Sequence, residues 1–302
     1  MLDAAAMPPF GRETASNVFL TLGGVKCGPV RAVDGGFARA DVVEQASTGT
    51  FTQKQLSGVR YDPFVVDVGL AMEPPVYDWV AASWKGDFAR KTGSLVVADY
   101  KLDAKRERAF TGALLTETTI PVLDAASKDA GFLKLKFQPE LAKENNAAGK
   151  QNGAGAKAKQ WLRSGFRLQI DSLDCTKVSK IDSLSVKVGV QADKDGSAKL
   201  SELVPTKLEF PTLRITLSEV SSKTWFDWFE DFAIKGNNDK SSERSGTIQL
   251  LAPDAKTELA RIKLFGLGIF SIAEEKEETH GDKVKRVTAE IYCERMELVV
   301  KP

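Results

Sequence analysis

The residues able to do chemistry in this chain are few and scattered. One histidine, His280, sits in a charged run between Glu274 and Lys285. Imidazole chemistry, whether proton transfer or metal binding, needs a second group at a fixed distance, and there is no second histidine to supply it. Cys27, Cys175 and Cys293 are too dispersed for a disulfide framework, and no two have metal-ligand spacing. The acid pairs Glu274-Glu275 and Glu277-Glu278 are of a type suited to proton transfer, but they stand inside the charge run and read as a solvated loop. There is no glycine-rich phosphate loop and no Gly-x-Ser-x-Gly turn. These residues predict a protein that is not an enzyme, with no catalytic residue, no metal and no cofactor.

The chemistry is then one of shape, and the elements must carry it. The chain has 302 residues, 42% hydrophobic and 27% charged, which is enough for two real cores. A net charge of +1 exerts no global pull toward nucleic acid or membrane. No stretch approaches the roughly 20 apolar residues of a membrane span. The first twenty residues lack a basic start and a long apolar run, so folding in a reducing cytoplasm is expected.

Two aromatic stretches are expected to be short amphipathic helices. In Thr224 to Phe232, Trp225, Trp228, Phe229 and Phe232 recur at three and four residues and share one helix face. In Val76 to Trp84, Tyr77, Val80 and Trp84 do the same, with Trp79 beside them. Gly86 and Gly236 are natural stops. Tyr77, Trp79, Trp225 and Trp228 are read as core. Strand patterns flank both helices. Phe166 to Ile170, Leu184 to Val190 and Leu213 to Leu217 alternate apolar and polar residues, so one side of each faces a core and the other faces water. The watered positions are Arg167, Gln169, Ser185, Lys187, Arg214 and Thr216. The polar stretches Glu44 to Gly58 and Gln191 to Leu203 read as long loops or extended hairpins.

The chain also repeats itself. Sliding residues 16–42 onto 164–190, an offset of 148, gives six identities: Ser16/Ser164, Leu20/Leu168, Cys27/Cys175, Val30/Val178, Asp34/Asp182 and Val42/Val190. Chance at average residue usage gives about one or two. Pro63/Pro211, Tyr77-Asp78-Trp79 with Phe226-Asp227-Trp228, and Asp103-Ala104-Lys105 with Asp254-Ala255-Lys256 extend the match with small insertions. The expected organisation is mainly β (α+β): two tandem copies of one domain, 1–142 with an N-terminal arm and 161–302. A flexible tether over 143–160, rich in Asn, Gly, Ala and Lys, joins them.

Several of these residues together form a pattern that resembles the tail-tube proteins of contractile phages and related injection systems. They are Trp225-Phe226-Asp227-Trp228, then Arg244-Ser245-Gly246-Thr247-Ile248-Gln249-Leu250, then Ala260 to Phe265, and finally Thr288 to Leu298. The resemblance covers 161–302 and is weaker over 16–140, where Tyr77-Asp78-Trp79 and Thr92-Gly93-Ser94-Leu95 carry it. It implies a β-sandwich or half-barrel domain with a flanking helix, six of which close a ring around a channel. This chain departs from the pattern by holding two domains, which suggests a trimer with pseudo-six-fold symmetry, either a tube ring or the adaptor between tube and hub. The watered residues above are then candidates for the channel wall. Gln45, Phe51, Gln53, Asp193, Lys194 and Asp195 are candidates to reach a stacked ring. Implied partners are the chain itself and other tail, baseplate, hub or sheath proteins, in a particle assembled in the cytoplasm. DNA or an effector would pass without specific binding, and no membrane is involved. The rival reading is a monomeric β-rich module that binds carbohydrate or a protein partner. Its exposed aromatic platform would come from Trp84, Trp161 or Phe51.

Overall fold

The computed structural model describes residues 17–45, 51–151, 161–193, 202–275 and 285–301. The N-terminal arm expected over residues 1–14 falls outside these. So do residues 152–160 of the tether, Lys194, Asp195, and residues 276–284 with His280.

The first half opens with β1 (Asn17–Leu22), β2 (Val25–Val30), β3 (Ala32–Asp34), β4 (Ala38–Gln45), β5 (Gln53–Tyr61) and β6 (Phe64–Val68). Helix α1 (Pro74–Trp84) follows, then β7 (Lys91–Ala98), β8 (Ala104–Ile120), β9 (Leu123–Asp124), β10 (Leu133–Gln138) and β11 (Leu141–Asn146). The second half has β12 (Phe166–Ile170), β13 (Val178–Ile181), β14 (Leu184–Asp193), β15 (Glu202–Glu209) and β16 (Leu213–Ser218). Helix α2 (Lys223–Phe229) runs into a π-helical turn over Glu230–Ile234, and β17 (Arg244–Leu251), β18 (Glu258–Glu274) and β19 (Arg286–Val300) close the chain.

Alternation sets the strand faces. β6 buries Phe64, Val66 and Val68, and β10 buries Leu133, Leu135 and Phe137 opposite them. The aromatic spacing sets the helices. α1 starts with proline in its first turn, where no intrahelical N–H partner is lost. It buries Val76, Tyr77, Trp79, Val80 and Trp84. The Tyr77 hydroxyl donates to the Gly69 carbonyl and accepts the Met72 N–H, both at 2.8 Å. Trp79 donates its indole N–H to the Ala89 carbonyl at 2.9 Å, and its ring lies 5.5 Å from that of Phe137. In α2, Trp225 and Trp228 are buried, Phe232 is buried in the π turn, and Phe229 is partly buried.

Two curled sheets result. The first runs β2-β1-β7-β8-β10-β6-β3, with β11 and β14 also paired to β8 and β15 paired to β14. The second runs β12-β17-β18-β19-β16-β13-β9. A third sheet holds only β4 and β5. The β1-β7-β8-β10-β6-β3 path of the first sheet reappears in the second as β12-β17-β18-β19-β16-β13. Even the register corresponds. Leu20 faces Leu95 as Leu168 faces Ile248, Phe64 faces Phe137 as Leu213 faces Ile291, and Val33 faces Val66 as Ile181 faces Ile215. β10 and β11 together take the place that β19 fills alone.

Residues 143–146, expected in the tether, are instead part of β11, where Lys143 to Asn146 pair with Ala109 to Arg106 of β8. Small and polar residues suffice there because backbone pairing with β8 holds the strand. The next few residues are docked as well: the Gly149 carbonyl accepts the Ala104 N–H, and Lys150 forms a bridge and an ion pair with Asp103. They sit near a small apolar cluster of Phe19, Val96, Ala98 and Ala104, to which Ala147 packs. The main core is continuous across the halves, from Leu20 to Leu298.

Candidate assembly surfaces

The expected watered residues fall on two sheets. Arg167 and Gln169 lie on β12 and Arg214 on β16, all exposed on the second sheet, where Leu168, Ile170, Leu213 and Ile215 take the core side. Thr216 does not reach solvent: it is 9% exposed, its backbone carbonyl accepts the Ser179 hydroxyl, and its own hydroxyl lies 3.5 Å from that of Thr288. Ser185 and Lys187 lie on β14, in the first sheet. Lys187 is exposed, whereas Ser185 is half-buried with its hydroxyl 2.8 Å from that of Thr119.

Around Arg214 the charge of the second sheet's outer face is balanced within the chain. Arg214 approaches Asp182 at 3.8 Å and Glu290 at 3.9 Å, and Lys180 meets Asp182 at 2.8 Å. A groove of about 640 Å3 there is lined by Asp124, Lys180, Asp182, Arg214, Arg286 and Thr288 among others. Two of its cations, Lys180 and Arg214, face carboxylates of the same wall. The cysteines offer no nucleophile. Burial pushes the Cys175 and Cys293 thiols up to about 11 and raises that of Cys27, so all three stay protonated.

The hairpin tips come to matching places. Gln45 faces Gln53 across β4–β5, and Asp193 faces Glu202 across β14–β15. Phe51 is 84% exposed beside the first tip. The two hairpins also share their inner register, Arg39 opposite Arg60 and Lys187 opposite Glu209.

Their surroundings differ. β14 pairs with the far end of β8, Val186 opposite Thr118 and Lys187 opposite Glu117, and buries Leu184, Val186 and Val188. That junction joins the two halves edge to edge. Arg90 strengthens it by donating to the Leu203 carbonyl on β15 while paired to Glu140. Among the described residues no third strand pairs with β4–β5. The hairpin leaves Val42, Val43, Leu56 and Val59 exposed. Phe37 and Phe270, which the sequence reading passed over, are large exposed apolar side chains next to sheet edges.

The architecture is thus mainly β: curled half-barrel sheets, each flanked by one helix. No protein-family profile matches the chain, and no curated protein matches it. Solved structures similar to part of it include a chain of the anti-feeding prophage baseplate, 11% identical with a TM-score of 0.37, covering 45% of this chain and 91% of that one. A chain of the sheath–tube complex of an extracellular contractile injection system is 13% identical with a TM-score of 0.36, covering 45% and 88%. Hcp1 from Flavobacterium johnsoniae is 14% identical with a TM-score of 0.28, covering 45% and 95%.

Proposed function

We propose that this chain is a ring-forming structural protein of a phage tail or phage-like contractile particle, building the inner tube or the adaptor between tube and baseplate hub. One observation carries the reading. The two halves run the same strand path in the same register and are already joined edge to edge inside one chain. A unit that binds the next unit by such a head-to-tail contact makes a ring when the rotation closes, and closure removes exposed sheet edges. Two tandem tube-like units per chain, 1–142 and 161–302, make a ring of three chains pseudo-six-fold. The tail-tube pattern over Trp225 to Trp228 and the strands after it supplies the kind of particle.

In such a ring Arg167, Gln169, Lys187 and Arg214 are the channel-wall candidates, and the tips at Gln45, Phe51, Gln53 and Asp193 reach toward the next ring. DNA or an effector would pass this wall without specific binding, since Arg214 is already paired within the chain and Gln169 carries no charge. Other copies of the chain and neighbouring tail, baseplate, hub or sheath proteins are the partners, and the particle assembles in the cytoplasm. The binding-module rival loses most of its platform, because Trp84 and Trp161 are each 2% exposed.

Negative-stain electron microscopy of the purified protein, with mass measured in solution, tests the proposal. Rings or tubes with a central hole, built from trimers, are expected, and their length separates a repeating tube from a single adaptor layer. A monodisperse monomer that also fails to join tail fractions would put the binding module first.

A further inference from the structure

We propose that the end of β18 pairs antiparallel with the start of β4 of a second copy of this chain, with Ser271 opposite Arg39, Ile272 opposite Ala38 and Ala273 opposite Phe37 of the next chain. The pairing rests on the ring-forming reading above and assigns the strand edges that would make the ring.

The template lies within the chain. β8 and β18 are both 17 residues long, so their positions correspond one to one. Both bend at a glycine in the left-handed region, Gly112 and Gly266, each with φ +61° and each beside a glutamate, Glu140 and Glu294. After its bend, β8 pairs with β10 on one side and with β14 on the other. After its own bend, β18 pairs with β19, Ser271 opposite Glu290 and Ala273 opposite Thr288. Among the described residues no strand pairs with its other side. The counterparts of Thr119 and Ser185, which face each other at the internal junction, are Ala273 and Phe37.

The exposure pattern marks the same two surfaces. Leu184 and Val186 are buried where β14 meets β8, whereas Phe37 is 53% exposed and Ala38 and Arg39 are exposed on β4. Phe270 is 48% exposed just before the open stretch of β18. β4 and β5 stand as a two-stranded sheet, a form marginally stable in water until it joins a larger one. The start of β4 is where the equivalent hairpin, β14–β15, joins its sheet. Gly36, at φ +75° and packed on the Phe64 ring, turns the backbone out of extended geometry, so pairing begins at Phe37.

The helices point the same way. α1 packs against β19, a strand of the other half, and its Tyr77 and Val80 are buried. α2 packs on β18 of its own half, and the counterpart residues Phe226 and Phe229 stay only partly buried. One side of the chain therefore presents the β18 end with the α2 face. The other side presents β4 with β10 and β11, the counterparts of β19. These two sides are complementary rather than alike, which makes the contact head-to-tail and the second copy its occupant.

Paired cysteines read the register. Phe37→Cys combined with Ala273→Cys is expected to give an interchain disulfide under mild oxidation, seen as a ladder ending in a closed trimer on a non-reducing gel. Directly opposed strand residues lie at disulfide distance. Thr119→Cys with Ser185→Cys is the intrachain control, and Phe37→Cys with Ile272→Cys, on the opposite face, is expected to cross-link at least tenfold less. Rings seen by microscopy in which the control pair closes but Phe37→Cys/Ala273→Cys does not would overturn the pairing and leave the ring reading standing. A chain that forms no multimer in any of these variants, oxidised or reduced, would overturn both.

Discussion

Trp228 shows what a single residue carries. It is 3% exposed, sits against Phe232 at 6.0 Å, and has the Arg244 guanidinium 4.6 Å over its ring. Burial strips water from the guanidinium and pulls its pKa down, a cost that the π face and the Asp171 carbonyl at 2.9 Å offset in part. Trp228→Ala removes the ring from a packed site and leaves both a cavity and an uncovered guanidinium. The expected loss is about 3–5 kcal/mol, measured as a shift of the urea midpoint with the slope unchanged. Trp228→Phe keeps an aromatic face and forfeits no hydrogen bond to the described residues, among which the indole N–H has no partner. It should therefore lose much less. Equal losses for the two variants would show that the ring face does not hold Arg244.

Among the elements, the long strands depend on their bends. Around Gly112, β8 exchanges β11, paired through Thr111, for β10, paired from Leu114, on one side, and on the other leaves β7 at Ala113 to take β14 from Glu117. β18 bends likewise at Gly266: β17 ends its pairing at Leu267, while β19 stays paired on the other side through Glu274. A side chain at φ +61° crowds its own carbonyl, so Gly266→Ala should destabilise by about 1–2 kcal/mol. Gly69→Ala, where a Cβ meets nothing closer than 4.0 Å and φ is ordinary, should stay within about 0.5 kcal/mol. Thermal unfolding of the two variants side by side checks this, and a neutral Gly266→Ala would mean the bend is not fixed by φ. These bends are also where sequence reading stopped. Alternation in Phe166 to Ile170 and Leu213 to Leu217 and the spacing of Trp225, Trp228 and Phe232 made strands and helices legible, since those signals are local. The pairing of β14 with β8 was not legible, because partner choice joins residues far apart in the chain. β11 hid inside a polar, alanine-rich stretch, as its backbone pairing needs no apolar side chain. Thr216 read as watered by alternation, but its neighbours Thr288 and Ser179 cover it.

At the scale of the whole molecule, the repeated sequence invites the picture of two beads on a tether, yet the packing ties the beads together. One buried cluster includes Leu20 and Phe137 of the first half with Ile215 and Met296 of the second. β14 continues the first half's sheet, β9 extends the second half's sheet through Leu123 opposite Ile181, and α1 lies on β19. Separating the halves would expose Leu184, Val186, Leu123 and Ile181 together, each about 2% exposed or less. Full burial of such a side chain is worth roughly 1.5–3 kcal/mol. Four of them, about 6–12 kcal/mol, are comparable with the stability typical of a whole domain, about 5–15 kcal/mol, so neither half should persist once the other opens. Calorimetry should therefore show one unfolding transition, with calorimetric and van't Hoff enthalpies equal. Trp228→Ala, though placed in the second half, should lower the temperature of that single transition rather than split it. Two transitions in the parent protein, or a split in the variant, would mean that the halves fold as separate domains and that the β8–β14 junction is a docking contact, open to exchange with another copy.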